Sequence, residues 1–350
     1  MAPSFRRKGP AMIARAFAAA AIALAAVGCA AAPAETSASV PAVASRAVAE
    51  DLAAALEAGY VFPDTGARYA AHVRSRAAAG AYDGVVEPEA LASLLTEDLG
   101  AVVVDHHLVV HPPEEPDDAD GEAGPARTPP PVLRQVRMID GEIGYLDLGL
   151  MGWEDSDIAA VDAALDDMTA ASAIIVDLRN NVGGDLPVAD LLFSRMTDES
   201  RRLLVMDQRT ASIETVGDIF GGGETVRRVD GPDGLTRYEH WTAPAPDADL
   251  VEVPVYLLVG PRTVSAAEHL ALAMRISGRA TLVGEPTRGA NHFGASLPLA
   301  DGYSVFVPVG RTFDPATGED WEGDGVQPDI RVPADAALDR ALAMIRGEDD

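Results

Sequence analysis

Ser265 stands where a hydroxyl could become a nucleophile. It follows the apolar run 253–259 by a short Gly260-Pro261 turn and opens a helical pattern. A hydroxyl there lies beside free helix N-terminal amides, whose N–H groups and dipole stabilise a developing oxyanion. The same letters, Ser265-Ala266-Ala267-Glu268, also spell a capping box, with Glu268 reaching back from the third helical position. Taken alone, the residue types favour the cap. A second segment shifts the balance: Asp177-Leu178-Arg179-Asn180-Asn181-Val182-Gly183-Gly184 ends an apolar strand in a glycine turn. Gly183 and Gly184 can aim backbone N–H groups into a cleft with no Cβ in the way. With the Ala266 N–H they would form an oxyanion hole.

Serine is a poor nucleophile at neutral pH and needs a base. The one lysine is Lys8, within a leader expected to be removed, so the base must be one of the seven histidines. His106 and His107 close an apolar run, and as neighbours only one of them should face a cleft. His269 follows Ser265 by one helical turn and is expected on a solvated face, since helical side chains lean toward the N-terminus. His106, His107 and His111 lack the cysteines or fixed carboxylate spacing that would complete a zinc set, so no metal or other cofactor is expected. A carboxylate should hold the basic imidazole in its tautomer. Glu322, Asp105 and Asp185 are candidates, and by residue type alone the segment around Glu322 reads as an acidic surface turn.

Positioning these groups requires a sheet. From Gly141 onward the pattern alternates strand, helix, strand: 143–148, 156–169, 173–178, then 203–208, 253–259, 265–277 and 280–283. That alternation predicts an α/β core with much parallel pairing and loops at the strand ends that carry the site. Residues 224–242 and 296–309 look like hairpin excursions. Residues 43–110 have apolar positions three and four apart and read as a small helical N-terminal domain, broken at Tyr60-Val61-Phe62-Pro63. Residues 111–132 form an acidic, proline-rich loop, leaving 133–350 as the α/β core.

Residues 1–29 have the basic start, apolar stretch and small-residue end of an export signal. Cys29 is the only cysteine, which precludes an intramolecular disulfide and looks like the lipidated cysteine of bacterial lipoproteins. A cut between Ala30 and Ala32 is the plain alternative. Residues 30–42 are a flexible tether. The expected location is exported: periplasm or cell envelope, with membrane contact only through Cys29. The net charge of -28 sets the chain against nucleic acid and anionic lipid.

Taken in order, the segments Tyr60 to Pro63, Asp105 to Leu108, Ile143-Gly144-Tyr145-Leu146, Asp177 to Gly184, Ser265 to Glu268, Val283 to Gly289 and Trp321 to Ile330 resemble the tail-specific, or C-terminal processing, serine peptidase family. Within it they are similar to the branch of interphotoreceptor retinoid-binding protein and the tricorn protease core. The resemblance implies a crotonase/ClpP-like fold, a peptide or protein substrate and an acyl-enzyme on Ser265. Lysine-type relatives carry their base in a Gly-Lys-Gly context, where this chain has Gly289-Ala290-Asn291-His292. The histidine branch instead implies His107 as base and Glu322 as its carboxylate, with His292 as second choice. A PDZ module has no room between His111 and Arg134. The rival reading is a non-catalytic ligand-binding module on the same fold. A crotonase-type acyl-CoA activity fits poorly with so acidic and exported a chain.

Overall fold

The computed structural model describes residues 42–114 and 129–348. The export signal, Cys29, the tether up to Pro41 and most of the acidic loop lie outside the described residues. In chain order, helices α1 (Ala42–Gly59), α2 (Pro63–Ala78) and α3 (Pro88–Gly100) lead through the short strand β1 (Val110–His111) to β2 (Leu133–Ile139) and β3 (Ile143–Leu148). Then come α4 (Asp155–Asp166), β4 (Ala173–Asp177), α5 (Pro187–Met196), β5 (Arg202–Arg209), α6 (Ile213–Val216), β6 (Val226–Val229) and β7 (Leu235–Trp241). The last part holds β8 (Val255–Val259), α7 (Ala266–Ile276), β9 (Ala280–Gly284), β10 (Gly294–Pro298), β11 (Ser304–Pro308), β12 (Gly310–Phe313), β13 (Ile330–Arg331) and α8 (Ala337–Arg346).

The central sheet has the order β13-β9-β8-β4-β3-β2. All its pairs are parallel except the edge pair of β2 with β3. Strands buried on both faces need continuous apolar runs, and β4 is buried along its whole length. Its alternating side chains split the core. Ile174 and Val176 join Leu146, Leu257, Leu282 and the buried faces of α4, α5 and α7 on one side. Ile175 joins Tyr145, Leu258, Val283 and the Ala337 and Ala341 stripe of α8 on the other.

Residues 203–208 read like another strand of this sheet, but β5 belongs elsewhere. It pairs antiparallel with β7 and β12 in a separate sheet ordered β12-β5-β7-β6. An apolar run signals burial, whereas its partner depends on contacts remote in sequence. The two expected excursions are the hairpins β6–β7 and β10–β11. The helical region packs Leu52, Leu56, Tyr69 and Leu95 against Val305 and Val307 of β11, so helices and excursion share one core. This contact brings the segment after α3, with its histidines, over the ends of β4 and β8. Among the described residues no helix is long and apolar enough to cross a membrane.

Candidate active site

Ser265 has φ 58 and ψ −119, one of three non-glycine residues with positive φ among those described. A β-carbon makes this conformation costly, by about 1–3 kcal/mol, so surrounding contacts must hold it. Glu268 does much of that work. Its buried carboxylate accepts the Ser265 N–H at 2.7 Å, the Gly289 N–H at 2.7 Å, the Ala290 N–H at 3.0 Å and the Thr287 hydroxyl at 2.6 Å. The capping box is therefore present, and it cooperates with the half-buried serine instead of competing with it. Burial pushes the Glu268 carboxyl up to about 7, against the pull of the hydrogen bonds from Thr287, Gly289, Ser265 and Ala290.

The glycine turn is fastened by a residue that the motif reading left without a role. Buried Asn181 donates from Nδ2 to the Leu148 carbonyl (3.0 Å), accepts the Gly183 N–H on Oδ1 (2.9 Å) and takes the Val264 N–H on its own carbonyl (3.1 Å). One side chain thus ties β3 to the turn, and its main chain ties the turn to the residue before the serine. The Gly183 N–H is committed to Asn181, which argues against its use as an oxyanion donor. Gly183 is needed for space: a Cβ there would lie 2.9 Å from Ser265 Cβ and 3.0 Å from the Val264 carbonyl oxygen. Gly184 and Ala266 line the cleft in front of Ser265. The Ala266 N–H, at the first helical position, is one of the donors that a helix cannot satisfy internally.

His107 lines the same cleft as Ser265, its ring stacked on Phe306 at 5.4 Å between centroids. Its main-chain N–H is held by Asp105 Oδ1 (3.0 Å), and its buried Nδ1 has no hydrogen-bond partner. Burial pushes this imidazole down to about 4, so it is neutral at physiological pH and able to take up a proton.

Glu322 reaches the neighbourhood without touching the His107 ring. Its carboxylate accepts the His106 N–H (3.1 Å), the Asn291 N–H (2.7 Å) and the His292 N–H (3.2 Å), so it pins the loop that carries His107. His292, the alternative base, is not among the residues that line the cleft. Its Nδ1 is bound by Asp105 Oδ2 at 2.7 Å, and its ring sits edge-on to Tyr60 and Phe62. Burial opposes charge on both partners, but their hydrogen bond and mutual attraction lift the His292 imidazole and hold the Asp105 carboxyl low. Ligand atoms of Asp105, His292 and Glu322 lie within 4.8 Å of one another, a spacing a metal ion could use. Each of the four carboxylate oxygens accepts a hydrogen bond, from Tyr60, His292 or main-chain N–H groups. The cluster is complete as a positioning network.

His269 is not solvated as expected. α7 is buried continuously from Ala266 to Met274, and His269 lines the cleft. Its Nε2 meets His240 Nδ1 at 2.8 Å, and His240 Nε2 meets Asp190 Oδ1 at 2.8 Å. Burial, together with His240, pushes the His269 imidazole well down. Nothing in the spacing of Asp190, His240 and His269 announces this chain. The uninterrupted apolar run after His269 was the one available sign that its helix has no wet face.

A strained serine at a strand-to-helix turn, a neutral histidine in the same cleft, and Gly184 and Ala266 lining it form an arrangement able to carry out acyl transfer. Comparison with known proteins gives the family. Residues 142–332 match the family described as Peptidase family S41, and residues 35–140 match the N-terminal domain of peptidase S41 in eukaryotic IRBP. The chain is 32% identical over 211 residues to carboxyl-terminal-processing peptidase 1, chloroplastic, of Arabidopsis thaliana, covering 58% of this chain and 37% of that protein. It is 31% identical over 180 residues to the carboxyl-terminal-processing protease of Picosynechococcus sp., covering 51% of this chain and 36% of the relative. The chain thus spans little more than a third of the length of these curated relatives. Among solved structures, a protein of Parabacteroides merdae shares the fold with a TM-score of 0.59 at 17% identity, covering 86% of this chain and 96% of that one. A lipoprotein from Streptococcus agalactiae does so with a TM-score of 0.53 at 13% identity, covering 87% and 97%. With a match over more than half of its 350 residues, the chain belongs to peptidase family S41.

Proposed function

We propose that the chain is a serine-type peptidase. His107 accepts the Ser265 Oγ proton as that oxygen adds to a peptide carbonyl, and the Gly184 and Ala266 N–H groups hold the oxyanion. The intermediate collapses when His107 returns the proton to the leaving amine. Water, deprotonated by the same imidazole, then cleaves the acyl-Ser265 ester. Glu322 acts through the His106 main chain, holding the base in place. The observation that carries this reading is the strained Ser265 backbone, held by Glu268 at the mouth of a cleft that His107 lines. A binding module has no use for a serine held at such cost. The export signal and Cys29 fit an enzyme of the cell envelope acting on peptides or proteins there.

The pH profile of peptide cleavage tests the assignment. The base must be neutral, and a lowered pKa keeps it neutral further into acid. Glu268 gains its proton first, as pH falls through about 7. The donors then lose part of their acceptor, Ser265 loosens, and kcat/KM falls partially. The complete loss comes only as His107 is protonated near 4. A two-step acid side is therefore expected. A single complete loss near pH 6.5, the midpoint of an unperturbed histidine, would remove His107 from the base position.

A further inference from the structure

Among the described residues, five buried side-chain polar atoms lack a hydrogen-bond partner. Three of them belong to residues lining the cleft: His107 Nδ1, Arg288 Nε and Trp321 Nε1. The last two are obligate donors. Arg288 differs from several other arginines of this acidic protein. Arg179, Arg195 and Arg237 are each tied to carboxylates. The Arg288 side chain has no hydrogen bond or ion pair with any described residue, although the chain has 55 acids against 27 bases.

Arg288 is half-buried, and its buried Nε has no acceptor, an arrangement that a ligand carboxylate would complete. The walls are apolar here, with Val264, Phe293 and Phe306 among the residues that share the cleft with Arg288. Its main chain is fixed by the Arg288 N–H to the Thr263 carbonyl (3.0 Å), two residues before the nucleophile. Its charge also reaches His106, where it adds to burial in lowering that imidazole. The half-buried cation is thus anchored by its main chain beside Ser265 and lines the same cleft.

We propose that Arg288 is a substrate-binding residue that anchors a carboxylate of the peptide close to the scissile bond. A planar guanidinium suits a carboxylate in two-point contact, and the indole N–H of Trp321 is a further donor in the same cleft. The carboxylate has two sources, the free C-terminus of a peptide or an aspartate or glutamate side chain. In either case the favoured substrates combine apolar residues with an anion. The inference rests on the cleft being a peptide-binding site, as proposed above, but not on turnover.

Binding is therefore measured on Ser265→Ala, by fluorescence anisotropy with fluorescein-labelled peptides of Phe, Leu and Ala. One pair compares the free acid with the C-terminal amide, and a second pair, both amidated, compares an internal Glu with Gln. One carboxylate member is expected to bind about tenfold or more tighter than its neutral partner, the equivalent of about 1.4 kcal/mol. Which pair responds identifies the source. Adding Arg288→Gln should erase the preference by weakening the carboxylate member alone, with an unchanged melting temperature, and Arg288→Lys should restore only part of it. Equal affinities within both pairs, no binding of any peptide, or a preference that survives Arg288→Gln would each overturn the assignment. A carboxylate preference with no cleavage by the wild-type chain would instead count against the peptidase reading and leave the anchor standing.

Discussion

Ser265→Ala abolishes peptide hydrolysis, with an expected loss on the order of 10⁴–10⁶-fold in kcat, the scale on which removal of a serine nucleophile acts. The fold should survive, because Glu268 holds the main-chain N–H of residue 265 and not the hydroxyl. Melting should shift by no more than about 1–2 kcal/mol, the range of a lost N-cap side chain. Ser265→Gly separates strain from chemistry. Glycine adopts φ 58 and ψ −119 without a Cβ penalty. This variant should therefore be equally inactive and more stable than Ser265→Ala by about 1 kcal/mol. Matched denaturant titrations of the two variants check this. A glycine variant less stable than the alanine one would mean that the backbone at 265 carries no strain.

Glu268→Gln should also lower activity, by a smaller factor than loss of the nucleophile, although this side chain touches no substrate. The carboxylate serves four donors and lies fully inside the protein. A glutamine keeps the shape but turns an NH₂ group toward at least one N–H, leaving buried donors opposed. The expected destabilisation is about 2–5 kcal/mol. Ser265 then relaxes from its strained conformation, and misplacing the nucleophile by an ångström costs roughly 10²-fold in rate. Circular dichroism melting and kcat on the same preparation test both parts. Retention of wild-type kcat would show that Ser265 holds its geometry without Glu268.

Much of this site could be read from residue order because its motifs are local. Ser265 to Glu268 is one helix start, and Asp177 to Gly184 is one strand end, so their geometry follows from backbone rules over a few residues. The strands β4 and β8 were legible because burial on both faces demands unbroken apolar runs. What escaped depends on contacts remote in sequence. The partner of β5 lies in β7 and β12, and nothing within 203–208 names it. His107 and His292 are 185 residues apart in the chain, yet both contact Asp105, one through its main-chain N–H and the other through its ring. Residue type could not tell which faces Ser265. Asn181 looked like one polar residue in a turn until its three hydrogen bonds joined β3, the turn and Val264. The orphaned Nε of Arg288 is visible only once every neighbour is in place.

The central claim is that His107 activates Ser265. Treating the wild-type protein and His107→Ala with a fluorophosphonate probe, and mapping the adduct by peptide mass spectrometry, tests it most directly. The account predicts stoichiometric modification of Ser265 in the wild type and a labelling rate lower by about 10²–10⁴-fold in His107→Ala, the usual contribution of a general base. A folded wild-type protein that takes up no probe at Ser265, or a His107→Ala variant labelled as fast as the wild type, would contradict it.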